Sequence, residues 1–221
     1  MQKLIAAIAG CVIAAASAPR GRQPLTIVAF GDSLTAGHGV PRAESYPADL
    51  RRLVAAAGWQ ARILNAGESG DTTTDALERV PEVLRLHPDW VVLEFGGNDG
   101  LRGLPVRTTE ANLQATIQRL QQAHIHILLV GMTLPPNYGR SYIASFQAIY
   151  PALARRDGLP LLPFLYQDLI PQLRHDPGLL QHDGIHATAA GNRIVAGTVW
   201  RYLRPLLRRG DYHGNSSNPG H

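Results

Sequence analysis

A serine near the start of the chain and a histidine near its end have the neighbours that nucleophilic catalysis requires. Ser33 lies in the segment Ile27–Gly39 (IVAFGDSLTAGHG), where an apolar run is broken by Gly31. A serine hydroxyl becomes a nucleophile when a neighbouring base takes its proton, and histidine is the usual base because its side chain titrates near neutral pH. His186 is the candidate base. Asp183, three residues earlier, could accept a hydrogen bond from the ring and fix its tautomer.

Hydrogen-bond donors for a developing negative charge are the second requirement of acyl transfer. The backbone amide of Ser33, the backbone amide of Gly70 and the side-chain amide of Asn98 would supply three such donors. Glycine suits the second position because the backbone must approach the reacting carbon closely, and asparagine donates without carrying a charge. Gly67 is the alternative to Gly70, but only Gly70 has the Ser-Gly-Asp context. Together these residue types would support transfer of an acyl group to Ser33.

Five short apolar segments alternate with helical patterns and predict the strands that must position these groups. The segments are Leu25–Phe30, Arg62–Asn65, Trp90–Phe95, His126–Val130 and Leu159–Phe164. Strands that alternate with helices favour a parallel sheet covered by helices on both faces. Ser33 follows the first strand, Gly70 lies in the loop after the second, and Asn98 follows the third. Because the carboxyl ends of parallel strands share one edge of a sheet, we expect these residues to meet around one crevice there.

Apolar residues at helical spacing predict five helices between and after the strands. They are Tyr46–Ala57, a helix that follows Asp71, a helix that starts at Thr108 or Thr109, Ser141–Arg156 and Ala187–Leu206. Asp71 is the predicted N-cap of the second helix. Pro81 should kink that helix or split it in two, and Pro151 should kink the fourth. The segments 33–39, 96–100 and 181–186 are predicted to be loops.

The first 18 residues have the features of an export signal. Lys3 is the charged start, an apolar stretch follows, and residues 16–18 (Ala-Ser-Ala) form a small-residue cleavage site. Pro19 is unfavourable for cleavage at that point, and residues 8–11 (Ile-Ala-Gly-Cys) leave open a lipid anchor at Cys11 instead. Cys11 is the single cysteine, so the mature chain would have no disulfide. We expect a bacterial protein that is periplasmic or secreted.

Length and composition fit one globular domain, with 221 residues of which 45% are hydrophobic and 17% charged. The predicted division is a signal peptide or membrane-targeting segment at 1–18, a domain at 24–206 and a disordered tail at 207–221. The net charge is +4, almost all of the positive charge being arginine. A C-terminal cluster could touch an anionic membrane surface or nucleic acid, although a solvated helix face is the preferred interpretation; its members are Arg201, Arg204, Arg208 and Arg209. We expect a monomer that binds a small molecule and no nucleic acid, with peripheral membrane contact left open.

Four short motifs resemble, in order, the blocks of the SGNH, or GDSL, hydrolase superfamily. They are Gly31-Asp32-Ser33-Leu34, Gly70 within Ser69-Gly70-Asp71, Gly97-Asn98-Asp99 and Asp183-Gly184-Ile185-His186. Each motif is a weak match alone, but their order and their positions at strand ends make the resemblance specific over residues 25–206. The segments 96–103 (GGNDGLRG) and 134–140 (LPPNYGR) resemble the bacterial periplasmic branch of thioesterase I, lysophospholipase and arylesterase.

This resemblance implies an α/β fold, a flavodoxin-like three-layer α/β/α sandwich with a five-stranded parallel sheet. It implies Ser33 as nucleophile, His186 as base and Asp183 as the residue that orients the base, with Ser33, Gly70 and Asn98 as oxyanion donors. The implied activity is hydrolysis of acyl esters or thioesters through an acyl-enzyme, as in an arylesterase, an acyl-CoA thioesterase or a lysophospholipase, with no metal or cofactor. Apolar loop residues could line an acyl groove, or could be ordinary loop packing: Leu101, Leu104, Leu134, Pro135, Pro136 and Tyr138.

Other interpretations account for fewer of these residues. An α/β-hydrolase would need glycine two residues after the nucleophile, where Thr35 stands. A non-catalytic module that binds phosphate or lipid could use the glycines of residues 31–39, but the phosphate-loop motifs are missing and the C-terminal Asp–His pair stays unexplained. His182 and His186 have the spacing of metal ligands on a helix, but Gly184 disfavours a helix there. We therefore expect no metal site.

Overall fold

The computed structural model describes residues 24–209, which form a sheet of five parallel strands. The strands are β1 (Leu25–Gly31), β2 (Ala61–Asn65), β3 (Trp90–Glu94), β4 (His126–Val130) and β5 (Leu161–Leu162), in the spatial order β2-β1-β3-β4-β5. β1 therefore lies between β2 and β3. Gly31 at the end of β1 is the register partner of Glu94 at the end of β3, so the loops that follow these two strands start side by side.

Seven α-helices connect and flank the strands in the described part of the chain. They are α1 (Ser33–Ala36), α2 (Tyr46–Ala56), α3 (Thr73–Leu84), α4 (Gly97–Leu101), α5 (Val106–Gln122), α6 (Arg140–Asp157) and α7 (Ala189–Arg209). The two shortest, α1 and α4, follow β1 and β3 directly, where the sequence predicted loops. Both of them carry residues of the candidate site.

Alternate side chains of the strands point to opposite faces of the sheet and build two cores. Ile27 and Ala29 of β1 pack on one face, which α2 and α7 cover. Val28 and Phe30 pack on the other face, which α3, α5 and α6 cover. Every residue of β1 and β3 is buried, which explains their continuous apolar runs. This three-layer α/β/α sandwich confirms the predicted fold class.

The start of α3 differs from the prediction. Its N-cap is Thr72, whose backbone amide donates a hydrogen bond to the Asp75 carboxylate at 2.8 Å. The Thr72 side chain in turn accepts a hydrogen bond from the backbone amide of Asp75. Asp71 pairs with Arg79 instead of capping. A capping box uses both a polar N-cap residue and an acidic residue three positions later, and that pairing outweighed the single acidic residue before it. Pro81 does not split α3, which continues past it, and α6 likewise continues past Pro151.

The helix α5 begins at Val106, earlier than the predicted start at Thr108 or Thr109. Pro105 stands immediately before Val106. Because the first amides of a helix have no partner within the helix, a residue without an N–H fits at this position. The proline was therefore a better start signal than the two threonines.

The strand β5 is shorter than the predicted Leu159–Phe164 and contains only Leu161–Leu162. Pro160 and Pro163 flank it, and proline has no amide to donate to a neighbouring strand. The chain consequently leaves the sheet early. It then passes through two 3₁₀-helices, Ile170–Arg174 and Pro177–Leu179, before it reaches α7.

The last helix, α7, continues to Arg209 instead of ending at Leu206. Leu207 is only 2% exposed and packs in the core, so the apolar face of the helix extends into the segment predicted as a tail. The predicted export signal at 1–18 and the rest of the predicted tail, residues 210–221, lie outside the described residues. Among the described helices, none combines the length and the apolar character needed to cross a membrane.

Candidate active site

The end of β1 turns directly into a helix of one turn that carries Ser33 at its first position. Asp32 is the N-cap of this helix, and its Oδ1 accepts a hydrogen bond from the Leu34 amide at 3.0 Å. The Ser33 carbonyl accepts a hydrogen bond from the Gly37 amide at 3.1 Å, which closes the turn. The predicted loop is therefore helical at its start, and the aspartate before Ser33 was a signal for this. Ser33 lies at the carboxyl edge of the sheet, as the strand pattern predicted.

Residue 31 must be glycine because its neighbours leave no space for a side chain. A Cβ there would lie 2.2 Å from Thr35 Oγ1 and 2.5 Å from Glu94 Oε2. Thr35 donates a hydrogen bond to Glu94 Oε2 at 2.7 Å, and the Tyr46 hydroxyl lies 3.1 Å from Thr35 Oγ1. All three of these side chains are buried. This chain of hydrogen bonds fixes α1 against β3 and so determines where Ser33 points.

Two buried carboxyl groups lie within this support. Burial raises the pKa of Asp32 to about 7; the Leu34 amide opposes this shift, and the charges of Asp99 and Asp71 add to it. Burial also raises the pKa of Glu94 well above its ordinary value, and the charge of Asp32 adds to that shift. Asp32 fixes the turn of Ser33 through its cap. Glu94 was not predicted, although a charged residue inside the apolar run of β3 was a signal for a buried polar contact.

A loop pinned at both ends presents His186. Leu180 and Ala187 form an antiparallel bridge, and the Gln181 amide donates to the His186 carbonyl at 2.8 Å. At the tip of the loop, Asp183 Oδ1 accepts hydrogen bonds from two backbone amides, one of them that of His186 at 3.0 Å. These contacts occupy one oxygen of Asp183 and leave Oδ2 facing the imidazole ring.

Ser33, His186 and Asp183 form one continuous chain of hydrogen bonds. Ser33 Oγ lies 2.8 Å from His186 Nε2, and His186 Nδ1 lies 2.6 Å from Asp183 Oδ2. The sequence placed these three residues in one site, and the structure brings them within hydrogen-bond distance. In this geometry the ring can accept the Ser33 proton at Nε2, while the carboxylate stabilises the positive charge that appears on the ring.

Asp183 is held in its ionised form. Partial burial acts to raise its pKa, but hydrogen bonds from the His186 ring and from the backbone amides of His186 and Ile185 outweigh it and lower the pKa to about 2. The Asp183 side chain is 41% exposed and that of His186 is 17% exposed, so the pair lies at the rim of the site. Within residues 24–209, no group of three or more His, Cys, Asp and Glu side chains is placed to hold a metal ion.

Asn98 lies in α4, in the same cleft as Ser33. Its side-chain nitrogen donates to the Asp71 carbonyl at 2.9 Å and lies 3.3 Å from Asp32 Oδ2. The shorter bond fixes the amide plane, and the longer one is the weaker of the two. One N–H of Asn98 is therefore held mainly by a long contact that an incoming oxygen atom could replace.

Gly70 lies in the loop between β2 and α3, with a φ of +93° that favours glycine. Its carbonyl accepts a hydrogen bond from Arg102 at 2.8 Å, which ties this loop to the end of α4. Gly70 does not line the cleft that contains Ser33 and Asn98. Its assignment as an oxyanion donor therefore stays a prediction.

An apolar cleft of about 460 Å³ opens beside Ser33 and His186. Of the predicted groove residues, Leu101, Leu134, Pro135 and Pro136 line it. Tyr138 and Leu104 do not line the cleft, contrary to the prediction. The Tyr138 hydroxyl instead donates to the Leu101 carbonyl at 2.9 Å, and the Leu104 carbonyl accepts a hydrogen bond from another tyrosine. These two hydrogen bonds connect the loop after β4 and the start of α6 with the end of α4 and the segment that follows it.

The opposite side of the cleft comes from the chain that follows β5, which the sequence analysis did not single out. Its apolar lining is Phe164, Tyr166, Ile170, Leu173, Leu180 and Ile185. Ile170 is 45% exposed although it is a large apolar residue. Apolar residues in a connecting segment shortly before His186 were the available signal, because surface connections between strands and helices are usually polar.

Comparison with known proteins places this site in a family. Residues 29–194 match the GDSL-like Lipase/Acylhydrolase family, a range that contains all four motifs. The chain belongs to this family. Thioesterase 1/protease 1/lysophospholipase L1 of Escherichia coli strain K12 is 38% identical over 185 residues, which cover 82% of this chain and 85% of that protein. Esterase TesA of Pseudomonas aeruginosa is 37% identical over 183 residues, which cover 82% and 89%.

The GDSL-like fold is also found among solved structures. The psychrotrophic esterase EstA from Pseudoalteromonas sp., in a structure inhibited by monoethylphosphonate, aligns with a TM-score of 0.76 and 28% identity. The alignment covers 83% of this chain and 98% of that chain. Membership in the GDSL-like family confirms the resemblance that the four motifs predicted, and it supports ester hydrolysis as the activity.

Proposed function

We propose that this protein is a serine hydrolase that cleaves acyl esters or acyl thioesters through an acyl-enzyme on Ser33. The observation that carries the proposal is the hydrogen-bonded chain from Ser33 Oγ to His186 Nε2 and from His186 Nδ1 to Asp183 Oδ2, with distances of 2.8 and 2.6 Å. A serine, a histidine and an ionised carboxylate in this order are the parts that activate a hydroxyl at neutral pH.

The proposed reaction has two halves. His186 takes the Ser33 proton as Ser33 Oγ bonds to the carbonyl carbon of the substrate, and His186 then protonates the departing alcohol or thiol. Water next gives a proton to His186 and attacks the acyl-enzyme, which releases the carboxylic acid and restores Ser33. Asp183 keeps the ring in the tautomer that accepts at Nε2. The steps need no metal or cofactor.

The negative charge on the substrate oxygen would be held by the amides of Ser33 and Gly70 and by the side chain of Asn98. The position of Asn98 beside Ser33 in the cleft supports this role, as does the long 3.3 Å contact from which one N–H could be diverted. Donors fixed in place before the reaction stabilise such a charge without rearranging. The bond from Asn98 to the Asp71 carbonyl supplies that rigidity.

The cleft supports an apolar acyl group as the part of the substrate that is bound. Its two apolar sides meet at Ser33, and Ile170 extends one side into solvent. The names of the relatives, thioesterase, lysophospholipase and esterase, agree with acyl substrates of this kind. We include in the proposal that the protein is exported to the periplasm by the segment 1–18 and acts there as a monomer.

Hydrolysis of p-nitrophenyl esters from acetyl to palmitoyl, with acyl-CoA thioesters of the same lengths beside them, tests the proposal. Wild type should hydrolyse them with a clear optimum of chain length, and Ser33→Ala should lower kcat by a factor on the order of 10⁶. Ser141→Ala is the matched control, because Ser141 is an exposed serine in α6, away from the cleft. A phosphonate probe should add to Ser33 in wild type and in the control.

Two results would contradict the proposal. One is a rate that Ser33→Ala leaves unchanged. The other is a wild-type protein that neither turns over any chain length nor reacts with the phosphonate at Ser33. The second result would favour the alternative that the chain is a non-catalytic α/β module that binds lipid or phosphate.

A further inference from the structure

A second imidazole packs against the proposed base. The rings of His38 and His186 have centroids 4.5 Å apart and are tilted by 43°. His38 Nδ1 lies 3.4 Å from Ser69 Oγ, in the residue next to Gly70. The residue His38 is exposed, so its ring stands between solvent and one face of the His186 ring. The sequence analysis did not assign this histidine to the site.

The backbone of His38 is fixed on two sides. Its amide donates to the Ser33 carbonyl at 3.0 Å, and its carbonyl accepts a hydrogen bond from Gln181 Nε2 at 2.7 Å. Gln181 Nε2 also donates to the Ala187 carbonyl at 3.0 Å, at the base of the loop that carries His186. A Cβ at Gly39 would lie 2.1 Å from Gln181 Oε1, and the φ of +77° at this position favours glycine. The Gln181 side chain thus connects the turn that carries Ser33 with the loop that carries His186.

We propose that His38 is a positioning residue for His186, which keeps the base in line with Ser33 and Asp183 by covering one face of its ring. The inference rests on the proposed function. His186 rotates about two side-chain bonds, and hydrogen bonds at its two nitrogens restrain that rotation only while they are intact. A ring packed at this tilt against one face of the His186 ring excludes rotated positions of that ring and keeps water from its bond to Asp183. The aromatic character of His38 carries this role, and its ring nitrogens do not.

Three substitutions at position 38 separate ring packing from polar contact. His38→Ala removes both, His38→Asn keeps a polar side chain without an aromatic ring, and His38→Phe keeps an aromatic ring without a nitrogen. We expect kcat to fall about threefold to tenfold for Ala and Asn, with KM within about twofold of wild type, and we expect Phe to restore most of kcat. His126→Ala is the control, because His126 also packs against an aromatic ring, that of Trp90 with centroids 4.9 Å apart, but at the amino end of β4.

A proton NMR measurement reports on the position of His186 itself. The proton between His186 Nδ1 and Asp183 Oδ2, atoms 2.6 Å apart, should give a low-field resonance in wild type. This resonance should broaden in His38→Ala and His38→Asn through faster exchange with water, and it should stay sharp in His38→Phe and His126→Ala. A loss of stability alone would not follow this pattern across the variants.

The outcomes distinguish this inference from the proposed function. Suppose that the wild-type protein is active, that Ser33→Ala abolishes the activity and that His38→Ala leaves the kinetics unchanged. This result would overturn the inference about His38 but not the proposed function. Equal losses in His38→Phe and His38→Asn would also overturn it, because an aromatic ring at position 38 would then not be enough to keep His186 in place. If His38→Ala does not fold, the comparison of Phe with Asn decides. An inactive wild type would refute the proposed function instead.

Discussion

The Asp32 carboxylate lies 3.3 Å from the side-chain nitrogen of Asn98, which connects the turn that carries Ser33 to the helix that carries a proposed oxyanion donor. Asp32 also caps the helix of Ser33 through the Leu34 amide. The proposed nucleophile and one proposed oxyanion donor therefore lie on elements that contact the same buried side chain. A movement of Ser33 relative to Asn98 would therefore disturb a hydrogen bond of the Asp32 side chain.

Replacing Asn98 with alanine should lower kcat by about 10²–10³ with a smaller effect on KM, because the donor acts on charge that develops in the transition state. Steady-state kinetics with the preferred p-nitrophenyl ester measures both constants. Asn112→Ala is the control, since the Asn112 side chain donates to Thr74 at 2.9 Å, away from the cleft. Equal kcat values for the two variants would remove Asn98 from the oxyanion site.

The Asp183→Asn variant should lower kcat by a factor on the order of 10⁴, because a neutral amide neither fixes the tautomer nor stabilises the charged ring. Asp176→Asn is the control. Asp176 Oδ1 also accepts a hydrogen bond from a nearby backbone amide, that of Gly178 at 2.9 Å, but Asp176 does not line the cleft. Steady-state kinetics at pH 8 compares the kcat values of the two variants. Wild-type kcat in both variants would contradict the proposed role of Asp183.

The raised pKa of Asp32 makes a specific prediction for stability. The folded state keeps the Asp32 proton until about pH 7, whereas the unfolded state loses it near 3.8. The folded state therefore binds more protons between these values, and this group's contribution to the free energy of unfolding falls as the pH rises from about 4 to 7.

Urea unfolding of wild type and Asp32→Asn across this range measures the effect. The stability of wild type relative to the variant should decline with rising pH, with a slope of at most about 1.4 kcal/mol per pH unit. A difference that stays constant, or that grows in favour of wild type, would show that Asp32 is already ionised in the folded protein at low pH.

Gly31→Ala should destabilise the protein by about 3 kcal/mol, because its Cβ would lie 2.2 Å from Thr35 Oγ1 and 2.7 Å from the Glu94 carbonyl. Gly197→Ala is the matched substitution: Gly197 is exposed in α7 with no atom within 4 Å of the new Cβ. It should stabilise the helix by about 0.5–1 kcal/mol. Thermal unfolding compares the two, and a tolerated Gly31→Ala would contradict the packing around α1.

The sequence predicted most of what lies at strand ends and little of what lies between distant segments. Ser33, Asn98 and Asp183 were found because glycine breaks and short motifs mark the ends of elements. Glu94 was missed because its partner, Thr35, and the residue that contacts Thr35 in turn, Tyr46, are far away in sequence and each is ordinary alone. The charge inside the apolar run of β3 indicated that a buried polar contact was needed, but it did not indicate which residues make it.

The second side of the cleft escaped prediction for a related reason. Residues such as Ile170 and Leu173 lie in a 3₁₀-helix after β5, and the early exit of the chain from the sheet brings them to the cleft of Ser33. Tyr138 was assigned to the groove because of its position in a loop near the site. Its hydroxyl instead donates a hydrogen bond to the Leu101 carbonyl. The local sequence does not indicate which side of the loop a side chain such as this one faces.

The hydrogen bond from Ser33 to His186 spans 153 residues, and the second of these residues lies just before the last helix. In the order of synthesis, residue 33 is therefore made 153 residues before residue 186. If the proposed function holds, a chain that stops or is clipped before residue 183 contains Ser33 without the Asp183 and His186 side chains that would activate it, and without α7, which packs against α2. Activity would then begin only after the segment that carries His186 has been made and has folded against the rest of the domain.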